Sequence, residues 1–316
     1  MEKIKKMLRN LLGGILACGL ILVGTFEDEK KRVSSEHVVT ALCFHDIEKR
    51  LFEKSIRWLI QNHYTFISTE QLIDIVKKKV AAPEKAVWIT FDDGWKQNIE
   101  NVIPIITKYN IPVIFFISTE PVENGGVFWW TYLSKYGKFL PHQYNSLEKI
   151  SVMNDSERRK LIYELENRFS KMIDRETMTT SDVITISKLP QVIIGCHTVN
   201  HVIMPRCTED ELDYELATSR QKLENWTGKK ISFFAYPDGE FDFREKEFVE
   251  KYGFELAATV ENRFISNGED LFAIPRFWVR GEGFFGEAKC QMVGIWIPLI
   301  RKFEKMLHIK TVGLFS

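Results

Sequence analysis

The sequence predicts an α/β protein built as a barrel of seven or eight strand–helix units. Two observations lead there. From about residue 37, short β-rich apolar runs alternate with amphipathic stretches, the rhythm of repeated βα units. Several runs, Val87-Trp88-Ile89-Thr90-Phe91 and Val113-Ile114-Phe115-Phe116-Ile117 among them, are apolar on both faces. Parallel strands covered by helices have this pattern, and seven or eight units are enough to close a sheet on itself.

In chain order, residues 1–10 carry Lys3, Lys5, Lys6 and Arg9, fourteen uncharged residues follow at 11–24, and a charged cluster spans 27–32. A basic region before a short apolar one reads as an export signal or membrane anchor over 1–32, standing apart from the fold. A full membrane span wants about 20 apolar residues, and a buried N-terminal helix is the alternative. Leu16-Ala17-Cys18 resembles a lipoprotein cleavage box. An uncleaved anchor would keep its basic end cytoplasmic and the remainder outside. The expected location is therefore extracytoplasmic, secreted or membrane-anchored.

Strands are predicted at 38–44, 64–68, 86–91, 112–117, 192–196, 231–236, 255–260 and 272–279. Helices are predicted at 53–62, 69–79, 95–109, 208–226 and 243–252. Thr208-Glu209-Asp210-Glu211 supplies a capping box for the fourth of these, and Gly253 a C-cap for the fifth. Residues 121–190, with Gly125-Gly126, Trp129-Trp130 and a charged helix near 155–174, break the rhythm. They read as a helical insertion on a βα loop rather than a second core. The barrel is expected over 37–285. The stretch 286–316 is an amphipathic tail, a covering helix or a membrane-surface helix.

Lys plus Arg and Asp plus Glu both count 43, which argues against a strongly basic nucleic-acid binder. Hydrophobic residues at 45% exclude a disordered chain. The 23 Phe and 8 Trp suit a barrel core or a sugar-binding surface. Five cysteines make no disulfide framework.

Thr90-Phe91-Asp92-Asp93-Gly94 ends an apolar run just before a helix, and barrel enzymes hold their chemistry at the C-terminal ends of strands. Adjacent carboxylates repel and resist desolvation there. A bound cation would relieve both; capping of the following helix is the alternative. His197-Thr198-Val199-Asn200-His201 ends another run. Two histidines four apart can reach one ion, or can be a core residue and a surface one. One carboxylate with two histidines makes a ligand set that leaves positions open for water and substrate. Zinc is the default for it, with cobalt, nickel or iron as options.

The two motifs, about a hundred residues apart, resemble those of the polysaccharide deacetylase family, the chitooligosaccharide deacetylase homology domain of carbohydrate esterase family four. Its pattern is Thr-Phe-Asp-Asp-Gly followed by His-Ser/Thr-x-x-His, and both match in full. The resemblance covers about 38–280. It implies a distorted (β/α) barrel that removes acetyl groups from a polysaccharide with a divalent metal. By position it implies Asp92 as catalytic base and Asp93, His197 and His201 as metal ligands.

The third family motif, Arg-x-Pro-Tyr-Gly, reads here Ala235-Tyr236-Pro237-Asp238-Gly239. This looks like the branch acting on exopolysaccharides such as poly-N-acetylglucosamine. There the backbone N–H at Tyr236 would help hold the oxyanion, and the resemblance places Pro237 and Arg276 with it as oxyanion or substrate-binding residues. The Arg that usually orients the base is missing, and Arg276 on the last strand is the candidate replacement, an ordinary structural ion pair being the alternative. The family's Leu-x-Leu-His acid motif is missing near the C-terminus. Leu42-Cys43-Phe44-His45 on the first strand fits it, in what looks like the permuted arrangement of the exopolysaccharide deacetylases. His45 is thus the expected acid, with His308 the next candidate. His37, His63 and His142 read as surface or structural.

Trp129 and Trp130 would stack on sugar rings or pack the insertion onto the barrel. Cys43 and Cys196, which precede site histidines, are expected to point away from the site by strand alternation. The expected substrate is an acetylated polysaccharide or oligosaccharide, most simply an N-acetylated amino sugar. The rivals are a non-catalytic glycan-binding or assembly protein on the same barrel and a small-molecule amidohydrolase. The missing motif Arg favours the first rival; the intact Asp and His pairs oppose it.

Overall fold

The computed structural model describes residues 2–22, 24–28, 31, 38–266, 268–298 and 300. Its strands are β1 (Val39–Phe44), β2 (Thr65–Phe66), β3 (Ala86–Phe91), β4 (Val113–Ile117), β5 (Val192–Cys196), β6 (Phe233–Ala235), β7 (Leu256–Ala258) and β8 (Phe277–Trp278). The helices are α1 (Glu2–Leu22), α2 (Lys49–Gln61), α3 (Thr69–Val76), α4 (Gln97–Asn101), α5 (Ile103–Tyr109), α6 (Trp129–Tyr136), α7 (Leu147–Ser151), α8 (Asp155–Phe169), α9 (Thr180–Ile186), α10 (Glu209–Thr227), α11 (Phe243–Lys251) and α12 (Phe285–Met292).

All strand pairs are parallel, in the order β7-β6-β5-β4-β3-β1-β8, with β2 pairing the start of β3. The sheet curls, and the stretch 271–279 spans its two ends. Ile274 N–H donates to Ala257 O and Thr259 N–H to Ile274 O, while Val279 N–H donates to Cys43 O. Closure rests on these few bonds, which makes a distorted barrel rather than a regular one.

Alternation along each strand sorts the apolar residues into two cores. Leu42, Phe44, Val87, Ile89, Phe91, Phe115 and Ile194 join the helices in the larger cluster. Val39, Ala41, Trp88, Ile114, Phe116, Ala258 and Ile274 form a second cluster that α3 enters through Leu72, Ile73, Ile75 and Val76. Gly195 lies beside Phe116, and a Cβ there would come within 2.5 Å of the Phe116 ring. Both faces of β1, β3 and β4 are buried, as their unbroken apolar runs require.

Three expectations change. The helix expected over 95–109 is two helices, broken at Val102, because Pro104 lacks an N–H and its ring clashes with the preceding turn. The insertion carries a small core of its own, built from Val127, Tyr132, Leu133, Leu140, Ile150, Ile162, Leu165 and Phe169. Charged runs such as Asp155-Ser156-Glu157-Arg158-Arg159-Lys160 mask that apolar spacing in the sequence. The N-terminal segment does not stand apart: α1 packs on α12. Ala17, Leu20 and Phe26 join Cys290, Val293 and Trp296, and Arg9 makes a two-pronged ion pair with Glu287 at 2.6 and 2.8 Å. Among the described residues no helix is long and apolar enough to cross a membrane. His37, His308 and 301–316 of the tail lie outside the described residues.

Candidate active site at the C-terminal mouth of the barrel

The strand ends deliver the motif residues to one place. Asp92 and Asp93 follow β3, His197 follows β5 and His45 follows β1. Asp93 and Gly94 both have left-handed backbone, φ 73° and 92°, a conformation costly for a non-glycine residue and common at functional sites. Asp92 keeps the strand's alternation and points into the barrel. The left-handed turn frees Asp93 from that alternation, so both carboxylates serve the mouth.

Asp93, His197 and His201 converge. Asp93 Oδ1 lies 3.4 Å from His197 Nε2 and 3.2 Å from His201 Nε2, and all three residues are buried. Each is aimed from behind. Trp95 Nε1 donates to Asp93 Oδ2 at 2.8 Å, which turns Oδ1 toward the histidines. His197 Nδ1 lies 2.7 Å from Ala235 O, so Nδ1 carries the proton and Nε2 keeps its lone pair for a ligand. The His201 ring meets Trp130 edge-on at 4.6 Å, and Trp129 Nε1 donates to His201 O.

These residues fit a divalent cation. Asp93 Oδ1 is buried with no hydrogen-bond partner, and such an acceptor is costly unless something else satisfies it. Burial opposes charge on Asp93. Positive charge at the His45, His197 and His201 rings would hold its pKa well below the usual carboxylate range, and a bound cation would supply that charge with the imidazoles neutral. Oxygen and imidazole nitrogen donors suit zinc, iron, cobalt or nickel.

Asp92 sits beside this group in a different setting. Arg276 Nη1 and Nη2 donate to its two oxygens, each at 2.7 Å. Arg276 is itself fixed by Thr259 O and Thr90 Oγ1. Burial pushes the Asp92 pKa up, but Arg276 and His197 outweigh burial and hold it below the ordinary value. Arg276 thus contacts the carboxylate left without its usual motif partner. Alternation along 272–279, read from Arg276, also brings Trp278 to this mouth; that residue was not singled out in the sequence. Trp278 Nε1 lies 3.3 Å from His45 Nδ1, which holds the imidazole ring in place with Nε2 turned away from the indole.

Two expectations fail here. The Tyr236 N–H is not a spare donor, because it continues the sheet ladder to Ala258 O at 3.0 Å. The Tyr236 side chain is buried and donates to Phe272 O, while Pro237 starts the turn that brings Asp238 to the cleft. Cys43 does not point away from the site. It stands two residues before His45, hence on the same face, and its thiol donates to Asp92 Oδ2 at 3.3 Å. Cys196 does point away, toward Ser219 of α10. Cys43, His45 and Asp92 are a second cluster of potential ligand atoms, but there the buried Arg276 guanidinium already supplies the positive charge that pairs with Asp92.

A cleft of about 910 Å³ opens over the site, walled by Trp95, Trp129, Trp130 and Trp278. Trp129 and Trp130 therefore both pack the insertion onto the His201 loop and face the cleft. His63 and His142 lie outside this cleft, at the end of α2 and on the insertion surface.

Fold and site together define an α/β barrel protein with a carboxylate–histidine group, fit for a metal, at its C-terminal mouth. The chain belongs to the polysaccharide deacetylase family, whose profile, described as Polysaccharide deacetylase, matches residues 79–257. The poly-beta-1,6-N-acetyl-D-glucosamine N-deacetylase of Staphylococcus aureus (strain MSSA476) is 23% identical over 241 residues, 76% of this chain and 70% of that protein. YxkH of Bacillus subtilis (strain 168), whose name marks it as a polysaccharide deacetylase, is 21% identical over 77% of this chain and 68% of its own length. The structure of IcaB from Ammonifex degensii superposes with a TM-score of 0.59 at 17% identity, covering 82% of this chain and 97% of that one. The last likeness is one of fold. Family membership makes the chain a hydrolase of the class that acts on acetyl groups of polysaccharides.

Proposed function

We propose that this chain is a metal-dependent deacetylase that removes N-acetyl groups from an amino-sugar polysaccharide outside the cytoplasm. One observation carries the reading: a partnerless buried Asp93 oxygen faces two imidazole Nε2 atoms, beside an Asp92 gripped by arginine. Asp93, His197 and His201 would hold the cation, with zinc the default. A divalent ion in that place supplies Lewis-acid polarisation of the acetyl carbonyl and acidifies the attacking water.

The remaining work falls to the chain's own residues. Asp92, kept ionised and aimed by Arg276, takes the proton from the attacking water. His45, at the rim of the cleft, acts in its imidazolium form: it gives one ring proton to the departing amine and returns to neutral imidazole, its ring held beside Trp278. Trp95, Trp129, Trp130 and Trp278 offer apolar faces to sugar rings and narrow the access of water. The Staphylococcus aureus relative is named for poly-beta-1,6-N-acetyl-D-glucosamine, which supports a β-linked N-acetylglucosamine polymer as substrate. The basic start of the chain and the exposed Leu11, Leu12, Ile15 and Leu22 of α1 support contact with a membrane surface through the part of α1 not buried on α12.

The test is acetate release from N-acetylglucosamine oligomers, with and without chelator, beside Asp92→Ala and His45→Ala. Chelator-sensitive release lost in both variants is expected. Release that survives His45→Ala moves the acid role elsewhere. No release by protein shown to hold metal overturns the enzyme reading in favour of a glycan-binding protein.

A further inference from the structure

The loop that carries both histidines is strained. Thr198 and His201 have left-handed backbone, φ 65° and 51°, without being glycine, and such conformations persist only when the surroundings over-determine them. The loop's carbonyls are tied to the segment after β4: Ser118 Oγ donates to His197 O, Thr119 N–H to Thr198 O and Glu120 N–H to Val199 O. The N–H groups of Val199 and Asn200 point the other way, side by side. Successive N–H groups beside a left-handed residue form a concavity that takes an anion. Here the anion is part of the protein.

Glu215, on α10, is fully buried among Leu212, Leu216 and Ser219. Its Oε2 accepts from Val199 N–H at 2.8 Å and Asn200 N–H at 2.9 Å, and its Oε1 from Asn200 Nδ2 at 2.6 Å. A carboxylate on the inward face of a helix is costly to bury, and nothing in the packing of α10 requires one. The insertion reaches the same carboxylate: Arg159 Nη1 lies 3.8 Å from Glu215 Oε1 while Arg159 Nε pairs with Asp155 at 2.7 Å.

We infer that Glu215 is a positioning residue for the His197–His201 loop and thereby sets how tightly the chain holds its metal ion. The inference rests on the metal-dependent reading above. Glu215 touches neither ligand atoms nor the cleft. It acts by fixing the two peptides between the histidines, and Arg159 from the insertion steadies it.

Zinc affinity, measured at 25 °C by competition with a chromophoric chelator, tests this on Glu215→Ala and Glu215→Gln, each first shown folded by circular dichroism. The expected result is a zinc dissociation constant about tenfold to a hundredfold higher in Glu215→Ala. Glu215→Gln keeps one oxygen for the Val199 and Asn200 N–H pair and should lose less. Added zinc should restore acetate release with an unchanged KM for glycan, which a general loss of stability would not produce. A folded variant that binds zinc as the wild type does overturns the inference; if the alanine variant does not fold, the glutamine variant decides. Wild-type protein that binds no zinc overturns the metal reading itself, an outcome distinct from either.

Discussion

Replacing Arg276 by methionine isolates the interaction on which the Asp92 carboxylate depends. Methionine keeps much of the arginine stem and removes the guanidinium. Arg276 is fully buried and Asp92 is 2% exposed, so water cannot substitute for the two 2.7 Å bonds that are lost. Breaking one side of such a buried pair costs about 3–5 kcal/mol, which lowers Tm by roughly 5–8 °C in a protein of this size. The sign with pH follows from Asp92. In the wild type burial raises its pKa but Arg276 and His197 hold it below the ordinary value. Its stabilisation is then present above the unfolded value of about 3.9 and is lost as pH falls through the folded value. In Arg276→Met burial is largely unopposed and the folded pKa rises. The penalty is full above that raised value and vanishes as pH falls toward about 4, where the carboxyl is neutral in both states. Denaturant titration of variant and wild type at pH 7 and pH 4.5 reads this directly. Asp92→Asn combined with Arg276→Met should recover part of the loss, since neither buried partner then carries an unpaired charge. A deficit under about 1 kcal/mol at pH 7, or one that does not shrink on acidification, would refute the reasoning.

Other substitutions probe other parts of the argument. Gly195→Ala places a Cβ 2.5 Å from the Phe116 ring and should cost about 1–3 kcal/mol by overpacking, read as a lower midpoint in denaturant. Arg9→Met leaves Glu287 buried and charged on α12 and should destabilise the α1–α12 contact by about 3–5 kcal/mol. Adding Glu287→Leu should return most of it, and no change in either variant would mean that α1 is not docked in solution. Trp278→Phe removes the N–H that sets the His45 ring. It should lower kcat by about 10- to 100-fold with little change in KM, and equal kcat in variant and wild type would show that His45 needs no such orientation.

The strands and the first two motifs were legible in the sequence because both are local. Unbroken apolar runs announced β1, β3 and β4, since a strand buried on both faces must be apolar throughout. Thr90-Phe91-Asp92-Asp93-Gly94 and His197-Thr198-Val199-Asn200-His201 each hold their candidate site residues within five positions. The partners that aim those side chains were less legible. Glu215 supports the histidine loop from the middle of a helix, and in the sequence it is one acidic residue among many. Trp278 was visible only to a reader who carried alternation two residues past Arg276. Alternation puts Cys43, two residues before His45, on the His45 face, and Cys196, one residue before His197, on the opposite one.

The sequence by itself determined where the strands fall and which acidic and histidine residues follow them, though the later strands are shorter than their apolar runs. These follow from side-chain pattern over a few residues. Only the tertiary structure decided what faces what across long separations. Arg276 meets Asp92 184 residues away, Arg9 meets Glu287 across 278, and the Tyr236 N–H is claimed by Ala258 O on the neighbouring strand. Such pairings depend on how the sheet curls and closes, and curling is a property of the whole set of strands that no single segment encodes.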